Sequence, residues 1–164
     1  MTNLDLDLKS KSDWIEMFPF GVAIGASQTR MVMIFKDKAE RRVLPIWLSP
    51  MDAGIAVTQS STDLDGSPHT LPLQILDKMG VRLEKCLFKE LRGHRQFVEL
   101  HFAGSKKLKS IDVRADAAIS FCLRAGCRFY ATIDYIERSR VLEDQMIASE
   151  VMKGMDVNSR SYLN

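Results

Sequence analysis

IDVRADAAISFCLRAG, Ile111 to Gly126, opens with an apolar residue alternating with a charged one and then changes period. Ile111, Asp112, Val113 and Arg114 carry the two-residue repeat of a strand. Ala118, Ile119 and Cys122 carry the three-to-four-residue repeat of a helix, and Gly126 supplies a terminator. A strand therefore runs directly into a helix, and Asp112, Arg114 and Asp116 collect where the two meet. Charged groups at such a junction serve either a phosphate-handling site or the capping and ion pairing that the junction itself requires.

Strand-like segments precede this junction: VRLEKCLFKEL (81–91), RQFVELHFAG (95–104) and KLKSIDVR (107–114), parted by the turns LRGHR and AGSKK. CRFYATI (127–133) follows the helix as a last strand. The first half of the chain shows the same order. PFGVAIGAS (19–27), RMVMIFKD (30–37) and RRVLPIWL (41–48) read as an antiparallel meander, with Pro45 marking a sheet edge or bulge because proline cannot donate to the ladder. Ser49, Pro50 and Asp52 then combine a capping hydroxyl, a first-turn proline and an early carboxylate, which predicts a helix to about Ser61. The loop STDLDGSPHT leads to a second short helix over Leu71–Gly80. Two halves of three strands and a helix imply an α+β fold, with a mixed or antiparallel sheet and a C-terminal helix.

At 164 residues the chain suits one domain of ordinary size. Residues 1–18, polar and without useful periodicity through about residue 13, read as a mobile leader. Residues 19–138 read as the domain and 139–164 as a helical extension and tail. Val141, Leu142, Met146, Ile147, Val151, Met152 and Met155 form an intermittent apolar stripe on that extension. The stripe suits packing on its own domain or pairing into a homo-oligomer.

The apolar fraction of 46% and charged fraction of 27% fit a soluble globular chain, and no run approaches the roughly 18 apolar residues that cross a bilayer. The acidic start lacks the features of a secretory signal, so a cytoplasmic, non-membrane protein is expected. Cys86, Cys122 and Cys127 have neither disulfide-framework nor zinc-motif spacing and read as reduced thiols. A net charge of +2 says little about partners. The clusters Arg41 and Arg42, Arg92, His94 and Arg95, and Lys106, Lys107 and Lys109 flank strands or turns, where cations protect sheet edges or, in the alternative reading, form a nucleic-acid footprint.

Four blocks, LPIWLSPMDAGIA, SPHTLPLQILDKMGVRLEKC, IDVRADAAISFCLRAG and RFYATIDYIERS, together resemble the bifunctional nuclease domain family over roughly residues 20–138. In the third block, Asp112, Arg114, Ala118, Ile119 and Arg124 stand where the family's frame has aspartate, arginine, alanine, isoleucine and a closing arginine. The resemblance implies a compact α+β domain and a nuclease acting on RNA and DNA. The sequence departs from the family at polar positions: Asp52 replaces a glutamate, and Ser67 an arginine. Leu71 and Pro72 take the places of a histidine and an aspartate, and Ala115, Asp116 and Ala117 those of proline, serine and aspartate.

Phosphodiester hydrolysis needs a positioned water, stabilised phosphoryl charge and help for the leaving oxygen, often from a carboxylate-bound divalent ion such as magnesium. Asp112, Asp116 and Asp52 are the candidate catalytic or ion-holding groups, and Arg114, Arg124 and Thr70 the candidate substrate contacts. Each has a structural counterpart. Asp52 completes a capping box with Ser49, Asp116 caps the third helix, and Asp112 and Arg114 form a local ion pair or reach neighbouring strands. Arg124 complements a helix dipole. His69, in the loop beside Thr70, reads as solvated in the absence of an evident partner, or as orienting a ligand. The competing functional reading is a non-catalytic binding or assembly module that retains the fold.

Overall fold

The computed structural model describes residues 14–24, 30–61 and 66–145. Seven strands form one sheet: β1 (Trp14–Ile24), β2 (Met31–Asp37), β3 (Val43–Trp47), β4 (Arg82–Arg92), β5 (Arg95–Ala103), β6 (Ser110–Arg114) and β7 (Arg128–Thr132). Helices α1 (Pro50–Ser61) and α2 (Thr70–Lys78) separate the two strand triplets. A 3-10 turn (Ala115–Ala117) and helix α3 (Ile119–Ala125) follow β6. A last helix, α4, occupies residues 133–145.

The strand order is β3-β2-β1-β7-β4-β5-β6. Each triplet is an antiparallel meander, as the alternating patterns and short turns predict. The late strand β7 joins them, antiparallel to β1 and parallel to β4, and makes the sheet mixed. This pairing explains why β1 begins at Trp14, inside the segment 1–18 that the sequence suggests as a leader. Trp14 to Met17 pair with Thr132 to Phe129, and Met17 enters the core. Residues 1–13 lie outside the described residues.

One face of the sheet holds the core. Phe35 meets Phe88 and Phe129 with ring centroids 5.1 and 4.9 Å apart, and Met17, Leu44, Ile46, Val98 and Ile119 close around them. Burying each large side chain of this kind contributes about 1.5–3 kcal/mol against exposure. The α4 helix adds Tyr135, Ile136 and Leu142, and it runs without a break through residues 138 and 139, where the sequence suggests a boundary. Most of the apolar stripe read for the extension, from Met146 onward, lies outside the described residues.

The sheet curls until its two ends approach each other. Pro45 sits on the edge strand β3, as its missing N–H requires, and buried Gln96 of β5 bridges the seam. Its Oε1 accepts from Trp47 N at 3.1 Å, and its Nε2 donates to Pro45 O at 2.8 Å and to Ser139 Oγ at 3.2 Å. The same approach brings Ser49, just after β3, against the turn after β6: Ser49 N donates to Asp116 O at 3.0 Å. The start of α1 is thereby set beside the start of α3. No residue of α2 is buried, and Leu71, Ile75 and Met79 face outward.

Candidate functional site

Helices α1 and α3 pack side by side, and their contact is polar where they open. Ser49 Oγ accepts from Asp52 N at 3.1 Å, the cap that the sequence predicts. The Asp52 carboxylate does not return to Ser49 N, whose partner is Asp116 O, so the reciprocal half of the capping box is not formed. Instead Asp52, 4% exposed, turns across to α3. Its Oδ2 accepts from Ser120 N at 3.2 Å and its Oδ1 accepts from the Ser120 hydroxyl. A carboxylate on one helix thus caps the first turn of another.

The chain of contacts continues to the loop before α2. His69 Nε2 lies 2.7 Å from Ser120 Oγ. The serine hydroxyl has one proton and directs it to the carboxylate, so its oxygen accepts from the imidazole. That assignment places the His69 proton on Nε2 and a lone pair on Nδ1. Gln59 of α1 braces the arrangement: its Nε2 donates to Ser120 O at 3.0 Å, and its Oε1 accepts from Ser67 Oγ at 2.5 Å. Ser67 Oγ in turn accepts from His69 N at 3.2 Å, and the His69 ring meets Phe121 edge-on at 5.4 Å. Burial pushes the Asp52 carboxyl up, against the two Ser120 hydrogen bonds and the nearby His69, which lower it. Burial pushes the His69 imidazole down, partly opposed by Asp52. Lowering the imidazole's proton affinity favours the neutral ring, a proton acceptor, near neutral pH.

The predicted site residues separate into groups. Asp116 sits close enough to this network for its charge to raise the Asp52 carboxyl, and Arg114, the last residue of β6, reaches Asp116. Arg114 holds Asp116 with two prongs, Nε to Oδ1 at 2.9 Å and a second contact to Oδ2, so Asp116 is an ion-pair partner and not a side-chain cap. Asp112 pairs in register with Glu99, whereas Val113 pairs with core residue Val98. The strand alternation therefore puts Asp112 on the sheet face away from Asp52. There it lies 3.7 Å from Lys89 Nζ, which also binds Glu99. Thr70 opens α2, one residue from His69, and its N–H donates to Ser67 O at 3.1 Å. Arg124 lies one turn along α3 from Ser120 and lines a separate groove.

Three carboxylates split in this way do not fit a shared divalent ion. Among the described residues no three His, Cys, Asp or Glu side chains gather as a metal site. The Cys122 and Cys127 thiols are both pushed up, which keeps them protonated and poor as nucleophiles: the hydrogen bond with Cys127 lowers Cys122, but its contact with Cys86 and burial outweigh it, and the hydrogen bond with Cys122 and burial raise Cys127. His69 has the partner that its loop position does not advertise. Ser120, Gln59 and Ser67 escape sequence reasoning; the available signal is a serine set between Ile119 and Cys122 on the buried side of an apolar helix.

An α+β domain with a carboxylate–hydroxyl–imidazole chain, buried at Asp52 and Ser120 and half-buried at His69, at the mouths of two helices is the class that fold and site define. The chain belongs to the bifunctional nuclease domain family, whose sequence profile matches residues 33–144. No curated protein matches the chain. Among the described residues no helix is long and apolar enough to cross a membrane.

Proposed function

We propose that this domain hydrolyses phosphodiester bonds of RNA or DNA beside His69, where α1, the loop before α2 and α3 meet. The Asp52–Ser120–His69 chain carries the reading. Asp52 orients the Ser120 hydroxyl, Ser120 holds the imidazole by Nε2, and Nδ1 is left to accept a proton from the attacking oxygen, whether of water or of a ribose 2′-hydroxyl. Asp52 is then a positioning residue. Arg114 spends two of its five N–H donors on Asp116, and the remainder suit a phosphate oxygen. Family membership supports a nuclease-related role.

The test is turnover of single-stranded RNA and single-stranded DNA by the full chain, with and without divalent ions, for the native protein and for His69→Gln. Loss of turnover in a variant with native circular dichroism supports the reading. Equal turnover in both removes His69 from the chemistry.

A second reading, a non-catalytic module that keeps the fold and binds nucleic acid or assembles, draws on the internal satisfaction of Asp52 and Ser120 and on the departures at Leu71, Pro72 and Ala117. It predicts binding of RNA or DNA without cleavage under every ion condition. A cytoplasmic location and homo-oligomer formation through the C-terminal stripe belong to the same set of proposals.

A further inference from the structure

A groove of about 380 Å³ lies between β1, β2 and the α1/α3 pair, large enough for a small-molecule ligand. Pro19, Val22, Met33, Ala56 and Leu123 give it apolar walls, and Arg124 stands among them. A β-bulge opens its strand side: between Pro19 and Gly21 the register of β1 against β2 shifts, and Phe20 falls in the gap. The Nε of Arg124 is buried and has no hydrogen-bond partner. Among the described residues no carboxylate forms an ion pair with Arg124. A guanidinium is always charged, and with the Nε sealed inside, the rest of this half-buried side chain is what meets the groove and is open to an anion there. Complementing the dipole of α3 does not supply an acceptor for the Nε, which reaches none of the last-turn carbonyls.

The groove is tied to the His69 site in two ways. Gln59 lines it and also binds Ser120 O, and Arg124 follows Ser120 by four residues on α3, a rise of roughly 6 Å. We infer that this groove holds one nucleotide next to the scissile phosphate, with the Arg124 guanidinium on its phosphate and the apolar walls around its sugar and base. The assignment rests on the proposed hydrolysis for its role, and on the groove alone for its ligand class, an organic phosphate with a flat apolar body. An anion without such a body leaves the walls unused, and an uncharged nucleoside leaves the guanidinium charge unpaired.

Titration calorimetry with adenosine 5′-monophosphate and uridine 5′-monophosphate tests the site on the full chain, with adenosine and inorganic phosphate as comparisons. The His69→Gln variant keeps the groove and binds both mononucleotides as the native protein does, so binding is read independently of hydrolysis. Arg124→Met weakens binding by at least about tenfold, and adenosine and phosphate each bind more weakly than the mononucleotide. Val22→Phe, which fills the groove from the strand side and leaves Arg124 in place, also abolishes binding and serves if Arg124→Met does not fold. Where the native protein cleaves an oligonucleotide, Arg124→Met raises KM and leaves kcat within a few-fold. Mononucleotide binding unchanged by both groove variants, or undetectable to the native protein at millimolar ligand, overturns the assignment. Binding without any turnover upholds the groove and removes the nuclease reading instead.

Discussion

Asp52 and Ser120, 68 positions apart in the chain, are joined by two hydrogen bonds that run from one residue's backbone and hydroxyl to the other's carboxylate. Both residues are buried, so each bond is shielded from water and each donor depends on this one acceptor group. Asp52→Ala leaves the Ser120 N–H and hydroxyl without their carboxylate, with an expected loss of about 2–4 kcal/mol in unfolding free energy. Asp52→Asn keeps one carbonyl acceptor and costs less. Urea denaturation of the three proteins checks the order, and an alanine variant as stable as the native one contradicts the shared cap.

The His69 imidazole gives stability a pH dependence of definite sign. Burial holds its proton affinity below the ordinary value of 6.5, with Asp52 opposing in part. Below about pH 6.5 the unfolded chain takes up the proton first, so stability falls as pH drops through that range and levels off below the depressed native value. Asp52 acts in the opposite sense. Its carboxyl is raised, so its contribution is complete below the ordinary value of 3.8 and is lost as pH climbs through the native value. Urea midpoints measured from about pH 7.5 to 5 should decline more steeply for the native protein than for His69→Gln, given the ordinary imidazole range. Parallel curves for the two show that the imidazole does not titrate differently on folding.

Local periodicity made most of the elements legible. The helix opening at Ser49 and Pro50, the meander β4–β6 and the glycine stop after α3 each announce themselves within a few residues. Three features depend on distant partners and carry weaker marks. Trp14 to Met17 become strand because β7, over a hundred residues later, pairs with them. Gln96 occupies the inward register of Val98 and Leu100, and a polar residue in that rhythm is the sign of a buried bridge. Ser120 has the same character on α3. The acidic trio read from the sequence is divided by the same long-range geometry: Asp116 lies near Asp52 but is held by Arg114, while Asp112 pairs in register with Glu99 and has the sheet between it and Asp52.

Gln96 closes the seam between β3 and β5, and its replacement tests how far the curl depends on one side chain. Gln96→Leu preserves volume and leaves Trp47 N and Pro45 O without their partners at the edge strand. A loss of about 2–3 kcal/mol is expected, from one or two stranded backbone groups. Hydrogen exchange at Trp47, measured by NMR, should accelerate in the variant beyond the change in global stability. Equal protection there indicates that another acceptor takes up the N–H.

The turn Ala103-Gly104-Ser105 meets the end of α2 so closely that a Cβ on Gly104 would lie 1.9 Å from Gly80 O. Gly104 also has φ of +89°, a conformation that side chains disfavour. Gly104→Ala is therefore expected to cost at least about 2 kcal/mol, through backbone strain and displacement of the α2–β4 turn. Gly54→Ala, at a helical position with no atom within 4 Å, is its control and should be neutral or slightly stabilising. Thermal unfolding of the pair separates a close backbone approach from a general intolerance of larger residues.

Placing Asp112 and His69 on different faces of the molecule divides their expected roles in hydrolysis. Asp112 is exposed on β6, with Lys89 as its neighbour, and Lys89 keeps Glu99 when Asp112 is removed. Asp112→Ala should cleave single-stranded RNA or DNA at the native rate. His69→Gln should lose about a hundredfold or more, the usual scale of general-base assistance. Arg114→Ala, which frees the Asp116 carboxylate next to Asp52, should weaken substrate affinity and raise the Asp52 carboxyl further by leaving an uncompensated negative charge beside it. Initial rates across substrate concentrations resolve the three. A collapse of turnover in Asp112→Ala with His69→Gln intact would move the chemistry to the outer face of the sheet, around Lys89 and Glu99.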